Sequence, residues 1–273
     1  MSHWRLIYTP PARGAWNMAV DESILEHIHR GESIPTLRLY AWNPPCLSLG
    51  YAQPFSDVDM TRPPVAQRGW EIVRRATGGR AILHTDELTY SVTAPADEPR
   101  VAGTVLESYN RLAGALFAAV QDLSLSVEIK EHASKPTSQN LNPVCFEVPS
   151  TYEITVGGKK LIGSAQARKK EGVLQHGSLP LTGDLTRICD TLKFEDEAAR
   201  AVAAQRLLDR ATTVESALGR VVDWETAAQA FVRAFEAQLD IQFERGELSA
   251  SESARADELV KEKYDHSSWT QRV

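Results

Sequence analysis

The chain has 273 residues, 42% hydrophobic and 24% charged, with a formal net charge of −6 at pH 7. That length supports one large domain, or one and a half, with a sizeable core. The acidic balance argues against a general nucleic-acid binder, which would present a basic surface.

Three cysteines, Cys46, Cys145 and Cys189, show no CxxC spacing, so neither a disulfide framework nor a zinc site is suggested. No stretch approaches the roughly 20 apolar residues of a membrane helix, and MSHWRLIYTP lacks the apolar core of a secretion signal. A reducing, cytoplasmic setting without membrane contact is expected.

In chain order, residues 4–8 read as a strand and 14–29 as a helix with Trp16, Ala19, Val20, Ile24, Leu25 and Ile28 on one face. Asp21 and Glu22 lie on that helix and read as first-turn or surface carboxylates. Residues 36–40 alternate as a strand, Asn43, Pro44 and Pro45 interrupt it, and 46–50 resume it with Cys46 as a small buried hydrophobe. A short strand at 71–73 feeds the loop Arg74-Arg75-Ala76-Thr77-Gly78-Gly79-Arg80, and strands at 81–83 and 88–92 bracket a polar turn. Glycine belongs in such a loop because it admits φ > 0 and lets backbone approach a ligand closely.

Residues 101–123 are predicted to be a long amphipathic helix, 126–130 a strand, and the polar stretch 132–143 a mobile loop next to Cys145. Strands follow at 151–156 and 159–162, joined by a Gly157-Gly158 hairpin turn, and again at 172–174 and 177–181. Beyond Asp184 the pattern becomes helical: around Leu185, Ile188 and Leu192, then 195–217, 224–240 and 249–263. The fold class is α+β, a mixed sheet body flanked by helices. Residues 1–220 are expected to form the catalytic domain, with 221–273 a helical segment packed on it.

Five blocks carry more information than their composition. They are Asn17-Met18-Ala19-Val20-Asp21-Glu22, Pro44-Pro45-Cys46-Leu47-Ser48-Leu49-Gly50, the RRATGGRAILH loop, Lys160-Leu161-Ile162-Gly163-Ser164-Ala165-Gln166, and Gln175-His176-Gly177-Ser178. In this order they resemble the lipoate and octanoate branch of the biotin/lipoate protein ligase superfamily, over most of the chain. Cys145, fifteen residues before Lys160, is most similar to the octanoyltransferases that carry an acyl group on cysteine.

The resemblance implies transfer of octanoyl from acyl carrier protein through a cysteine thioester to a lysine of a lipoyl domain or of the glycine cleavage H protein. No metal and no cofactor are required, and a monomer is expected. It implies Cys145 and Lys160 as catalytic residues. Substrate-binding residues would be Arg75, Thr77, Gly78, Gly79, Arg80, Ala81, Ile82, Leu83 and His84 in the first loop. Gly163, Ser164 and Ala165, and His176, Gly177 and Ser178, would supply the rest.

A thiolate attacks thioesters where a thiol does not, so Cys145 needs a nearby cation, and Lys160 is the candidate. A desolvated lysine could then accept a proton from the attacking amine. His84 and His176 each offer a hydrogen bond to the acyl group, while Cys189, beside Ile188 and Leu192, reads as packing. Arg74, Arg75, Arg80, Arg168, Lys169 and Lys170 are expected to ring the mouth as a patch for acidic protein partners. Other readings are an ATP-dependent lipoate-protein ligase, an octanoyl amidotransferase between lipoyl-bearing proteins, and a non-catalytic module that binds lipoylated partners.

Overall fold

The structure, a computed structural model, describes residues 1–131 and 152–273. The stretch 132–143 and Cys145 lie outside the described residues. The first strand, β1 (Ser2–Tyr8), runs into helix α1 (Gly14–His29) and returns in β2 (Thr36–Tyr40), which pairs parallel to β1. Two short elements then cross a small sheet in which β3 (Cys46–Leu49) pairs parallel with β4 (Glu71–Arg74) and antiparallel with β5 (Ile82–His84). Between β3 and β4 lies the one-turn helix α2 (Pro63–Ala66).

The chain re-enters the large sheet with β6 (Glu87–Ala94), makes helix α3 (Val105–Asp122), and adds β7 (Val127–Glu131), β8 (Tyr152–Val156), β9 (Lys159–Lys169) and β10 (Gly172–Pro180). After a 3-10 turn (Leu185–Thr191) come α4 (Glu197–Arg210), α5 (Val214–Leu218) and α6 (Trp224–Leu239). A strand β11 (Ile241–Gly246), helix α7 (Ala250–Leu259), a π-helical turn (Val260–Tyr264) and α8 (Ser267–Thr270) close the chain. The large sheet has eight strands in the order β11-β1-β2-β6-β10-β9-β8-β7.

Both faces of that sheet are covered, which explains why β2 is buried along its whole length. Leu37 and Leu39 join Leu112 and Leu116 of α3 and Phe231 and Phe235 of α6 on one side. Ile7 and Tyr40 join Ile24 and Ile28 of α1 and Ala256 and Leu259 of α7 on the other. The alternation in TLRLY is therefore real, but its polar side faces α1, not water. Among the described residues, no helix is long and apolar enough to cross a membrane.

The strands expected at 159–162, 172–174 and 177–181 are instead the longer β9 and the single β10, because the two pair with each other along most of their length. Three further differences have local reasons. Helix α3 starts at 105, not 101, because Thr104 and Glu107 form a reciprocal capping box, with Glu107 N to Thr104 Oγ1 at 3.2 Å and Thr104 N to Glu107 Oε2 at 2.7 Å. The helix expected at 195–217 is broken: Ala211 is extended, the Thr212 amide donates to Lys160 O at 3.0 Å, and Thr213 caps α5. Strand β11 was not anticipated. Asp240, at φ 50°, ends α6 in the left-handed conformation and turns the chain in parallel beside β1. The C-terminal segment thus combines helices with a sheet strand, and it shares the core through Phe231 and Phe235.

Candidate active site

A cavity opens where the small sheet meets the large one beside α1. With its mouth and the adjoining open space included it encloses about 420 Å³. Met18 of α1, Trp42 after β2 and Ile82 of β5 supply its apolar wall. Of the residues expected from sequence, Arg75, Gly79, Ile82 and His84 line it from the first loop. Gly163, Ser164 and Ala165 line it from β9, and His176, Gly177 and Ser178 from β10. The last two groups face each other in register, Gly163 with Ser178 and Ser164 with Gly177. A Cβ on Gly177 would fall 2.5 Å from Gly163 O and 2.6 Å from Ser164 Oγ, so the strands close there only because this residue has no side chain.

The remaining expected loop residues do not line the cavity. Thr77 is buried and bonds His176 Nε2 at 2.6 Å. Ala81 and Leu83 pack into a separate hydrophobic cluster with Ile188 and Leu207, Gly78 is exposed, and Arg80 is partly exposed. Arg75 fixes the loop: Nη1 donates to Ser48 O at 3.0 Å, and Nη2 to Gly78 O and Arg80 O at 2.7 and 2.8 Å. Gly79 sits at φ 93°, and a Cβ on Gly50 would lie 1.9 Å from Gly79 O. The PPCLSLG and RRATGG blocks are thus two sides of one backbone contact.

The expected basic rim is corrected by this geometry. Arg74 is fully buried and donates to Gly50 O at 2.8 Å, Gln53 O at 2.6 Å and Thr270 O at 2.8 Å. Burial, with Arg272 nearby, lowers its guanidinium from the ordinary value. Arg74 and Arg75 are internal clamps on backbone carbonyls. Arg168 bonds the Val101 carbonyl, and Lys169 pairs with Glu22 at 3.2 Å. Lys170, 85% exposed at its side chain, is the solvated member of the group.

Two buried carboxylates organise the floor, and sequence reading placed neither there. Asp21 is 1% exposed, so the expectation of a surface carboxylate fails. It accepts from Arg38 Nη1 at 2.8 Å, Ser91 Oγ at 2.7 Å and Tyr40 OH at 3.0 Å, and lies 3.7 Å from His176 Nδ1. Burial raises its carboxyl, but Arg38, His176 and Ser91 outweigh this and hold it below the ordinary value. His176 is itself pushed down, by burial first, with Asp21 opposing and Arg75 adding to the shift. Neighbouring Glu22 is likewise held inside, by Lys263 at 2.6 Å and Tyr264 at 2.6 Å.

Glu87 takes His84 Nδ1 at 2.7 Å, Ser178 Oγ at 2.8 Å and the Thr89 hydroxyl. Burial again raises the carboxyl, and His84, Thr89 and Ser178 together leave it lowered. The other nitrogen of His84 meets Ser48 Oγ at 2.7 Å, and Trp42 stacks on the imidazole with ring centroids 3.9 Å apart. Met18 and Ser48 lie in the quoted blocks without having been named as site residues, and Trp42 and Thr89 lie outside them. The available signal was a charged residue, Arg38, inside an otherwise apolar strand, which demands a buried counter-charge.

Lys160 is 5% exposed and pairs with Glu153 Oε1 at 3.1 Å. Cys46 and Cys189 are buried in packing clusters, as expected, and burial pushes the Cys46 thiol up. Among the described residues, no group of three or more His, Cys, Asp or Glu is placed to hold a metal ion.

Residues 13–236 match the family described as lipoyl protein ligase A/B catalytic domain. The chain belongs to that family. Relatives in the lipoyl protein ligase A/B family include the octanoyltransferase LipM of Moorella thermoacetica, 42% identical over 98% of both chains. Another octanoyltransferase LipM, of Brevibacillus brevis, is 37% identical over the full length of both. The fold is shared with a bi-partite lipoate protein ligase of Thermoplasma acidophilum, at TM-score 0.81, 24% identity, and 99% and 97% coverage. A lipoate-protein ligase A bound with ATP superposes at TM-score 0.79 and 24% identity, with 99% of each chain covered.

Proposed function

We propose that the chain is an octanoyltransferase of protein lipoylation. The observation that carries this reading is its identity of up to 42%, spread over 98% of the chain, with octanoyltransferases. A mostly apolar cavity walled by Met18, Trp42 and Ile82 supports it, since such a wall suits a linear aliphatic chain.

In the proposed reaction, the octanoyl thioester of acyl carrier protein meets the Cys145 thiolate. A new C–S bond forms, the donor C–S bond breaks, and the carrier sulfur leaves as a thiolate that takes up the proton Cys145 gave up. The ε-amine of a lysine on a lipoyl domain then attacks the Cys145 thioester, forming the amide and returning the thiol. With Cys46 and Cys189 committed to packing, Cys145 is the thiol of choice among the three. Lys160 is the proposed cation. A carboxylate partner such as Glu153 favours the ammonium form, which is the form that stabilises a neighbouring thiolate. We further propose that the chain works in the cytoplasm, where partners of this kind would meet it, and as a monomer.

The test uses the pure chain with an apo lipoyl domain and either octanoyl-acyl carrier protein or octanoate plus ATP. Transfer from the carrier alone, through a hydroxylamine-labile adduct that disappears in Cys145→Ala, is the expected result. Transfer that requires ATP would instead make the chain a ligase. Full activity in Cys145→Ala would remove the thioester.

A further inference from the structure

The hydroxyl of Ser48 has no role in the reaction above, yet its surroundings are those of an activated nucleophile. Ser48 lies on β3, the middle strand of the small sheet, is 0% exposed, and lines the cavity together with His84. Its Oγ is 2.7 Å from His84 Nε2, and His84 Nδ1 is 2.7 Å from Glu87 Oε1.

The proton positions follow from the partners. Trp42 Nε1 can only donate, and it does so to Thr89 Oγ1 at 2.7 Å, so the Thr89 proton points to Glu87. Glu87 Oε1 lies 2.7 Å from His84 Nδ1, so the neutral tautomer that donates to this carboxylate carries its proton on Nδ1. Nε2 is left with its lone pair facing Ser48. Arg75 Nη1 donates to Ser48 Oγ at 3.2 Å, which leaves the serine proton for His84. The stacked Trp42 ring fixes the imidazole plane.

Nucleophile, base and orienting carboxylate are recognised by geometry and roles, whatever the fold. We propose that Ser48, His84 and Glu87 form a second, hydrolytic site on the cavity wall that takes medium-chain acyl thioesters and activated acyl esters through an acyl-serine. Ser48 Oγ bonds to the acyl carbon as its proton passes to His84 Nε2. The acyl–sulfur or acyl–oxygen bond breaks, and the leaving thiolate or alkoxide takes that proton. Water then attacks the serine ester, giving one proton to His84 and through it to Ser48, and the carboxylic acid departs. The Arg75 guanidinium beside Oγ stabilises negative charge as it develops on that oxygen. Glu87 is a positioning residue: it acts through His84. The inference rests on the proposed function in one respect, that the cavity admits an acyl chain.

The experiment uses the full-length Cys145→Ala protein, which silences the thiol route, with p-nitrophenyl octanoate as substrate and a fluorophosphonate as covalent probe. The probe adduct should map to Ser48 by peptide mass spectrometry. Hydrolysis should fall about 100-fold or more in Cys145→Ala/Ser48→Ala, the usual size of a lost acid–base or nucleophile partner. Adding Glu87→Gln in place of Ser48→Ala should lower kcat while leaving KM nearly constant.

Probe labelling of the wild-type protein, run alongside transfer to an apo lipoyl domain, makes the outcome independent of whether any variant folds. Transfer without a Ser48 adduct overturns the hydrolytic site alone. A Ser48 adduct without transfer overturns the transferase reading alone. Hydrolysis that survives Ser48→Ala unchanged overturns the hydrolytic site as well.

Discussion

Replacing Asp21 by Asn keeps the shape of the side chain and removes its charge, which isolates the worth of one buried ion pair. Arg38 is 0% exposed and Asp21 1%, with 2.8 Å between them. After the change Arg38 keeps Asn17 O, Asn17 Oδ1 and Thr9 Oγ1 as acceptors, but its charge has no counter-ion in the network. Removing one partner of such a pair costs about 3–5 kcal/mol, a large share of the roughly 5–15 kcal/mol that holds a domain folded. At a urea slope of about 2 kcal/mol per M, the midpoint should fall by about 1.5–2.5 M.

Urea unfolding followed by circular dichroism measures this directly. The double variant Asp21→Asn/Arg38→Met, which leaves no orphan charge, should recover most of the loss. Because Asp21 also faces His176 in the cavity wall, octanoyl transfer by Asp21→Asn should fall at concentrations where the protein is still folded. A loss below about 1 kcal/mol, or a double variant weaker than the single one, would refute the assignment of an essential buried pair.

Stability should also decline on the acid side. Asp21, Glu87 and His176 all have folded values below their ordinary 3.8, 4.5 and 6.5, so their contributions are complete above those values and are lost as pH falls. Urea midpoints between pH 3 and 8 should begin to drop below about pH 6.5, where the unfolded histidine starts to bind a proton, and drop steeply below about pH 4. A flat profile from pH 8 to 4 contradicts the burial of His176. Gly50→Ala forces Gly79 O to move and should cost about 1–3 kcal/mol, with a rise in KM for the acyl donor; unchanged KM would show that the loop contact does not shape the site. Lys160→Ala should shift alkylation of Cys145 to higher pH, since a lost cation disfavours the thiolate, and an unaltered alkylation profile would leave the lysine outside the thiol's field.

Much of this molecule could be read locally. Helix α1 has the limits its apolar periodicity gives, and β2 and the strands around the Gly78-Gly79 loop lie where alternation and turn residues put them. These features depend on neighbours a few residues apart. The five sequence blocks likewise marked most of the cavity, because each is a contiguous run that supplies lining residues to it.

What the sequence could not supply was which distant groups meet. Strand β11 owes its existence to pairing with β1, some 240 residues away in the chain. Arg74 and Arg75 look like surface cations in a linear reading, yet one is clamped to carbonyls of the C-terminal tail and the other to its own loop. Asp21 has the polar neighbours of a surface helix, and only the packing of α1 over Arg38, Tyr40 and Ser91 makes it a buried carboxylate. Burial and charge pairing are properties of contacts between remote segments, so these roles, and the Ser48–His84–Glu87 alignment with them, were decided by the tertiary structure alone.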